Sequence, residues 1–388
     1  MARNAQRPSK YDAIVVGAGI AGLGAAYGLV LQKKKVLILT RQKKIAGEST
    51  PASAGILDPF LESSSPKHPF FKLKRAAFLE LPKEIKKIEK LSGLSTGYQR
   101  TGVLFAALTA RETKVLKARF QRHRGAGIPL EWVDPKTALT RWPYLSKHVR
   151  RVLYYPTLGR VFPAKLQRSL HRALNKSGVQ TVAVSGPVKT VLRHNQVVGI
   201  KAGKHFFESS HVVNACGSWA DQASLSPLKF PVYPVRGQVT VVRGQVKSLS
   251  QVVHSADGNY VVPWEKGTYL LGATVENKGF LPYVDAKSLG SIRRSAESVI
   301  PKIQSLKRGH SWAGLRPCTN DQRPLLGKTA IKGYYMASGY YRSGVVISIY
   351  AGRLLAKVIS GRGFAKELRF FDPMRFSKKI TSLKKNRR

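Results

Sequence analysis

Three glycines carry the most specific chemical signal in the chain. In Gly17-Ala18-Gly19-Ile20-Ala21-Gly22 they follow a short apolar run, 11–16, and open a segment, 20–32, with Ala and Leu at helical spacing. A Gly-x-Gly-x-x-Gly turn alone is a weak signal; between a buried strand and a helix it has a mechanism. Gly17 allows the tight turn, Gly19 lets the backbone approach a pyrophosphate, and Gly22 lets helix and strand pack closely. The helix N-terminus then offers amide donors and positive dipole to the phosphates. Lys33, Lys34 and Lys35 close the helix where cations suit the dipole, and 35–39 is a second apolar strand, which completes a βαβ unit. The acidic residue expected at the end of that strand, for ribose hydroxyls, is replaced by Thr40, with Arg41 next. A neutral hydroxyl holds a ribose more weakly than a carboxylate, and Arg41 taken alone would suit the 2′-phosphate of NADP.

Around this unit the periodicity predicts helices over 71–91, 112–123, 166–176, 289–299 and 345–360. Strands are predicted at 100–108, 154–161, 212–217 and 333–337, with short alternating strands in 180–196. Segments 232–242, 260–263 and 269–274 are β-rich, and turns at Asp257-Gly258 and Lys266-Gly267 suggest an antiparallel sheet. Residues 47–57 form a Gly/Ser/Ala-rich loop. Trp312, Leu315 and Pro317 mark a buried turn. There are no internal repeats, and 378–388 is a basic tail.

Composition bounds the rest. At 388 residues, 43% hydrophobic with 34 Gly and 21 Pro, the chain suits two interleaved globular domains. No apolar run reaches the ~18 residues of a membrane span, and residues 1–10 do not read as a signal peptide. Cys216 and Cys318 offer neither a disulfide framework nor a metal spacing, which suits a reducing compartment and predicts a cytoplasmic location. There is no convincing Ser–His–Asp set. Lys and Arg number 67 against 20 Asp and Glu, a formal charge of +47. Such a field attracts polyanions non-specifically and reversibly with salt. Because the charge is spread along the chain and no zinc finger, RRM core or helix-turn-helix pattern accompanies it, no specific nucleic-acid partner is expected.

Several separated blocks, in order, carry a resemblance. They are the Gly-rich turn, then Thr50-Pro51-Ala52-Ser53-Ala54-Gly55-Ile56-Leu57 and Val212-Val213-Asn214-Ala215-Cys216-Gly217-Ser218-Trp219. Next come Pro234-Val235-Arg236-Gly237-Gln238, Gly272-Ala273-Thr274-Val275-Glu276, Trp312-Ala313-Gly314-Leu315-Arg316-Pro317, and Ser338-Gly339-Tyr340-Tyr341-Arg342-Ser343-Gly344. The chain resembles the D-amino-acid-oxidase-like family of FAD-dependent amine oxidoreductases, and within it the glycine oxidases. That sets the NADP reading of Arg41 aside. The resemblance implies an α/β fold, α+β overall. A discontinuous Rossmann-like FAD-binding domain (11–66, 151–235 and 315–371) is interleaved with an antiparallel-sheet substrate domain (67–150 and 236–314), and 1–10 and 372–388 are basic tails.

It also implies site residues. Gly17, Gly19, Ile20, Ala21 and Gly22 would hold the pyrophosphate, and Thr40 and Arg41 would lie by the adenosine ribose. Ser49 and Thr50 would stand near the phosphates and ribityl chain. Ala54, Gly55 and Ile56 would approach the isoalloxazine, and Val188 would meet the adenine. The turn Tyr340, Tyr341, Arg342, Ser343, Gly344, Val345 and Val346 would cradle the pyrimidine edge. Arg316 would clamp a substrate carboxylate, the bidentate task for which a guanidinium is suited. Tyr260 would add a hydrogen bond, and Arg342 would lie beside substrate or flavin. His254 is expected at the surface. Tyr340 stands where glycine oxidases usually carry His, and Gly258 where another site histidine can occur. Cys318 is too close to Asp321 to match the covalent flavin attachment of sarcosine oxidases, so FAD is expected to be non-covalent. No metal is expected.

The implied reaction passes a hydride from the substrate Cα to the flavin N5, giving an imine that water hydrolyses to an oxo acid and ammonia. Oxygen is then reduced to hydrogen peroxide, or electrons pass to a carrier. Expected partners are therefore a small amino acid or amine and oxygen or an electron carrier, with homo-oligomerisation left open. Two alternatives stand beside this. One is a D-amino-acid or proline-type dehydrogenase feeding a quinone; the other is a tRNA-modifying flavoprotein that removes a carboxymethyl group.

Overall fold

The computed structural model describes residues 10–41, 49–60, 65–221, 228–265, 267–362 and 366–376. The apolar run before the glycines is strand β1 (Ala13–Val16), followed by α1 (Ile20–Leu31), β2 (Val36–Thr40), β3 (Ile56–Leu57), α2 (Pro69–Ser92), β4 (Val103–Ala107) and α3 (Ala110–Arg124). Then come β5 (Glu131–Val133), α4 (Pro135–Arg141), β6 (Arg151–Tyr155), β7 (Gly159–Arg160), α5 (Pro163–Lys176), β8 (Gln180–Ala183), β9 (Val188–Arg193), β10 (Gln196–Ala202), β11 (His205–Glu208) and β12 (Val212–Asn214). The last third holds β13 (Val232–Arg243), β14 (Val252–Ser255), β15 (Tyr260–Pro263), β16 (Thr268–Gly272), α6 (Ala286–Val299), β17 (Lys307–Thr319), β18 (Leu325–Lys328), β19 (Tyr334–Ser338) and α7 (Gly344–Ile359).

The fully apolar runs form one sheet, ordered β18-β19-β12-β1-β2-β8 and parallel except for β18. Strands covered on both faces need no alternation, which is why β1 and β12 read as continuous apolar runs. Helices α1 and α7 cross on this sheet at backbone contact: a Cβ on Gly24 would lie 2.3 Å from the Ser348 carbonyl oxygen, and one on Gly352 would lie 2.0 Å from that of Gly24. Glu84 of α2 ties the layer together, accepting from the Tyr27 hydroxyl at 2.8 Å and pairing with Arg353 at 3.3 Å.

The β-rich segments build a second sheet, ordered β17-β13-β16-β15-β14-β4-β6-β5, antiparallel except for the parallel β4–β14 pair. Its strands alternate strictly. Phe105, Tyr260, Val239 and Leu270 face the nucleotide half, while Leu104, Val261 and Leu271 face α6 through Ile292, Ala296 and Val299. β9, β10 and β11 form a small antiparallel sheet.

Some expectations change here. Residues 312–317 are no turn: they run inside the 13-residue strand β17, at the edge of the large sheet, where Pro317 needs no partner for a missing N–H. Residues 151–155, placed by sequence with the nucleotide half, lie in the large sheet as β6. Helix α4 was not expected; Asp134 caps it by accepting from the Thr137 N–H at 3.0 Å, with Pro135 next. The tail expected from 372 is anchored through 376, because Arg375 grips Asp321 at 2.9 and 3.0 Å. Burial works to raise the Asp321 carboxyl, but the bonds from Arg375, Thr319 and Arg323 outweigh it and hold it at about 2. Residues 1–9 and 377–388 lie outside the described residues.

One buried histidine gives a pH prediction. His123 of α3 is buried, with Nδ1 2.8 Å from the Tyr155 hydroxyl, and burial, helped by Arg119, Arg122 and Lys74, pushes it down to about 4. The unfolded chain takes a proton near pH ~6.5 while the folded one does not. The stability this residue contributes is therefore present above ~6.5 and lost as pH falls towards 4, by an amount on the order of 2–3 kcal/mol. Urea midpoints should fall more steeply between pH 7 and 5 in the wild type than in His123→Phe. Parallel slopes would refute the assignment.

Candidate active site

Strands β1, β2, β12 and β19 deliver their C-terminal ends to one edge of the parallel sheet, where open α/β sheets bind ligands. There a cleft of about 450 Å³ runs along the Gly-rich turn. It is lined by Gly17, Gly19, Ile20, Ala21, Thr40, Arg41, Ser49, Thr50, Val188, Tyr340, Tyr341, Gly344 and Val345, all expected from sequence. Gly22 stands behind it, with a Cβ position only 1.8 Å from the Gly17 carbonyl oxygen, so its part is packing. Ala54, Gly55 and Ile56, and on the other side Arg342, Ser343 and Val346, do not line this cleft. Residues Ala215, Cys216, Gly217, Trp219, Gly186 and Ser338 line it and were not assigned. The signal for Cys216, Gly217 and Trp219 was present in the small residues that end buried strand β12.

Local structure explains the cleft. The Thr50 hydroxyl accepts from the Ile20 N–H at 3.1 Å and so caps the first turn of α1. Arg41 stacks over Trp219, 4.9 Å from the ring centroid, at the rim. Tyr341 sits in the left-handed region (φ 47°), held by its N–H to the Pro317 carbonyl at 2.8 Å.

Two features fit a dinucleotide cofactor. A Cβ on Gly19 would project into the cleft, its nearest atom Thr50 Oγ1 at 3.8 Å, so this glycine leaves room that the protein itself does not fill. The Tyr340 hydroxyl is buried with no hydrogen-bond partner among the described residues. Both are what a bound polar ligand would use.

The wall between this cleft and the large sheet is β17. Ser49 and Ser218 both donate to the Leu315 carbonyl, the latter at 3.0 Å, and Trp312 Nε1 donates to the Ala52 carbonyl at 3.2 Å. Pro317 faces the cleft. Its neighbour Arg316 instead donates from Nη1 to the carbonyls of Thr274, at 3.0 Å, and Arg236, at 3.3 Å. Those bonds fix a loop that is itself anchored: buried Arg236 pairs with Glu276, and Gln238 Nε2 donates to Glu276 at 2.8 Å and to Asp285 at 2.6 Å.

Beside Arg316 lies Tyr260. Burial raises its hydroxyl above the usual tyrosine range, with Arg316 and Arg342 pulling it back, so it stays protonated and able to donate. Its cross-strand neighbour is His254, which is buried at 2% exposure and not at the surface as expected. That ring stacks on Phe105 at 4.5 Å and 8°, and burial, then Arg119 and Arg342, pushes it down to about 3. It is a neutral imidazole. The structure thus brings Arg316, Tyr260 and Arg342 into one electrostatic neighbourhood, with Arg119 over the Phe105 ring at 4.3 Å beside it.

Among the described residues no three His, Cys, Asp or Glu side chains could hold a metal ion, and no helix is long and apolar enough to cross a membrane.

Known proteins match this architecture along its length. Glycine oxidase of Geobacillus kaustophilus is 28% identical over 385 residues, covering 96% of this chain and 98% of that protein. The solved structure of glycine oxidase from Geobacillus kaustophilus has a TM-score of 0.88 at 27% identity, covering 94% of this chain and 99% of that one. The bifunctional protein ThiO/ThiG of Synechocystis is 28% identical over 370 residues; the match covers 94% of this chain but only 54% of that protein. The chain thus spans about half the length of its bifunctional relatives. The family model described as DAO, FAD dependent oxidoreductase, matches residues 12–358. With the cleft, the Gly-rich turn and that match together, the chain belongs to the DAO family of FAD-dependent oxidoreductases.

Proposed function

We propose that this chain oxidises the C–N bond of a small amino acid, in the manner of the glycine oxidases it is similar to. The observation that carries the reading is the juxtaposition of a guanidinium and a buried, protonated phenol, Arg316 and Tyr260, across β17 from the cofactor cleft. Together they offer a planar donor fork and a single donor, the complement of one carboxylate. A substrate fixed there by its carboxylate has its Cα and nitrogen as the remaining reactive part, close to the row of rings Phe105, His254 and Tyr260. FAD, when bound, supplies the two-electron acceptor for that C–H bond.

The chain's own task is positioning and exclusion of water. Burial at Tyr260 and His254 strengthens the charge-assisted bonds, and the positive charge of Arg316, Arg342 and Arg119 favours the neutral amine, the form that can be oxidised. No protein nucleophile is required. Cys318 is buried in β17 with Sγ 3.4 Å from the Thr319 carbonyl, which supports a non-covalent cofactor.

The test is a panel of glycine, sarcosine, D-alanine and D-proline, read in parallel by peroxide release and by reduction of an artificial dye. Turnover of at least one with peroxide supports an amino acid oxidase. Dye reduction without peroxide moves the reading to a dehydrogenase. Silence with all four in both assays, in an FAD-loaded protein, removes it.

A further inference from the structure

The sheet beneath the two substrate-facing side chains has two gaps, and the side chains lie in them. A Cβ on Gly237 would stand 2.1 Å from Nη2, 2.3 Å from Cζ and 2.4 Å from Nη1 of Arg316. A Cβ on Gly272 would stand 2.7 Å from Cε2, Cζ and the hydroxyl oxygen of Tyr260. The guanidinium and the phenol thus occupy the space that any other residue would claim.

Register places both gaps on one face. Tyr260 pairs with Gly272, Gly272 pairs with Val239, and Gly237 lies two residues further along β13, on the same side. Neither glycine has a positive φ. The nearest atoms to each added carbon are side-chain atoms of Arg316 or Tyr260, whereas at Gly17 and Gly22 they are main chain. The glycines therefore act on where those two groups lie, and little else.

We propose that Gly237 and Gly272 are positioning residues: they set the height and tilt of the carboxylate-binding pair by letting Arg316 and Tyr260 lie flat on the sheet. This rests on the reading of Arg316 as the carboxylate clamp. With alanine at 237, ordinary contact requires the guanidinium to rise by about 1 Å or more. That lift pulls it from the Thr274 and Arg236 carbonyls and out of register with a carboxylate. A bidentate bond tolerates such a shift poorly.

The experiment uses the holoenzyme and acetate as a minimal carboxylate, its binding read as a perturbation of flavin absorbance, alongside KM for whichever amino acid is turned over best. Gly237→Ala is expected to keep its FAD content and melting temperature while acetate Kd and KM rise about tenfold or more. Gly272→Ala, the second arm, is expected to weaken acetate in the same direction through Tyr260. In an Arg316→Met background, adding Gly237→Ala should change acetate Kd by less than about twofold, because the group it displaces is gone. Equal weakening in both backgrounds overturns the proposal, as does a Gly237→Ala enzyme with unchanged acetate Kd and KM. If Arg316→Met weakens acetate and Gly237→Ala does not, the floor proposal fails and the clamp reading stands. If Arg316→Met itself leaves acetate binding intact, the clamp reading fails and takes the floor proposal with it.

Discussion

Arg316→Met should leave FAD bound and the protein folded while kcat/KM for amino acids falls by roughly 30-fold to a few thousand-fold. That range corresponds to about 2–5 kcal/mol, the usual cost of stranding one member of a charge-assisted pair in a desolvated site. Methionine keeps most of the length and none of the donors. The geometry adds a second effect: without Nη1 the carbonyls of Thr274 and Arg236 lose a donor, so the loop after β16 loosens as well. Arg316→Lys should recover only part of the loss, since an ammonium is a point charge without the fork. A simple amine that never used the clamp should suffer least. The measurement is steady-state kinetics on both substrate types with flavin content checked by absorbance. Full amino acid activity would move the carboxylate elsewhere, with Arg342 the next candidate; a colourless protein would make the residue structural.

The second large effect separates two glycines that a motif treats alike. Gly19→Val should fold normally and bind FAD at least ~100-fold more weakly, about 2.7 kcal/mol. Its backbone (φ −70°, ψ 175°) suits valine, and the new carbon would point into the cleft where the nearest protein atom is 3.8 Å away. Gly22→Val should instead lower the melting temperature, because its Cβ would collide with the Gly17 carbonyl at 1.8 Å. Fluorescence titration with FAD beside thermal melts distinguishes the two. A Gly19→Val protein that purifies yellow would contradict the assignment of this cleft.

The βαβ unit was legible because its signals agree at every level: buried β1, a glycine turn with one steric reason per glycine, and a helix whose glycines meet α7. Arg316 was singled out through its ordered block, Trp312 to Pro317, and Tyr260 through the resemblance alone. The elements that escaped did so for physical reasons. β17 carries Gly309, Gly314 and Pro317, residues that punctuate turns in most contexts, yet an edge strand tolerates them. His254 lies in a short strand just before the exposed Asp257-Gly258 turn, and nothing local reveals that Phe105, from a strand distant in sequence, pairs beside it in parallel. The gaps at Gly237 and Gly272 were also invisible: a glycine in a strand pattern signals close approach, but not by what.

The cofactor cleft draws its walls from residues 16–21, 39–41, 49, 50, 53, 184, 186–188, 215–217, 219, 317, 338, 340, 341, 344 and 345. During synthesis the phosphate-binding turn is made first, whereas the turn at Tyr340 and the start of α7 follow after more than three hundred further residues. Throughout that interval the nascent chain holds an open half-site. α1 has no α7 to cross, and β1 waits for β12 and β19 to complete its sheet. Flavin capture has to wait for the turn at Tyr340, in competition with the exposure of unpaired strand edges.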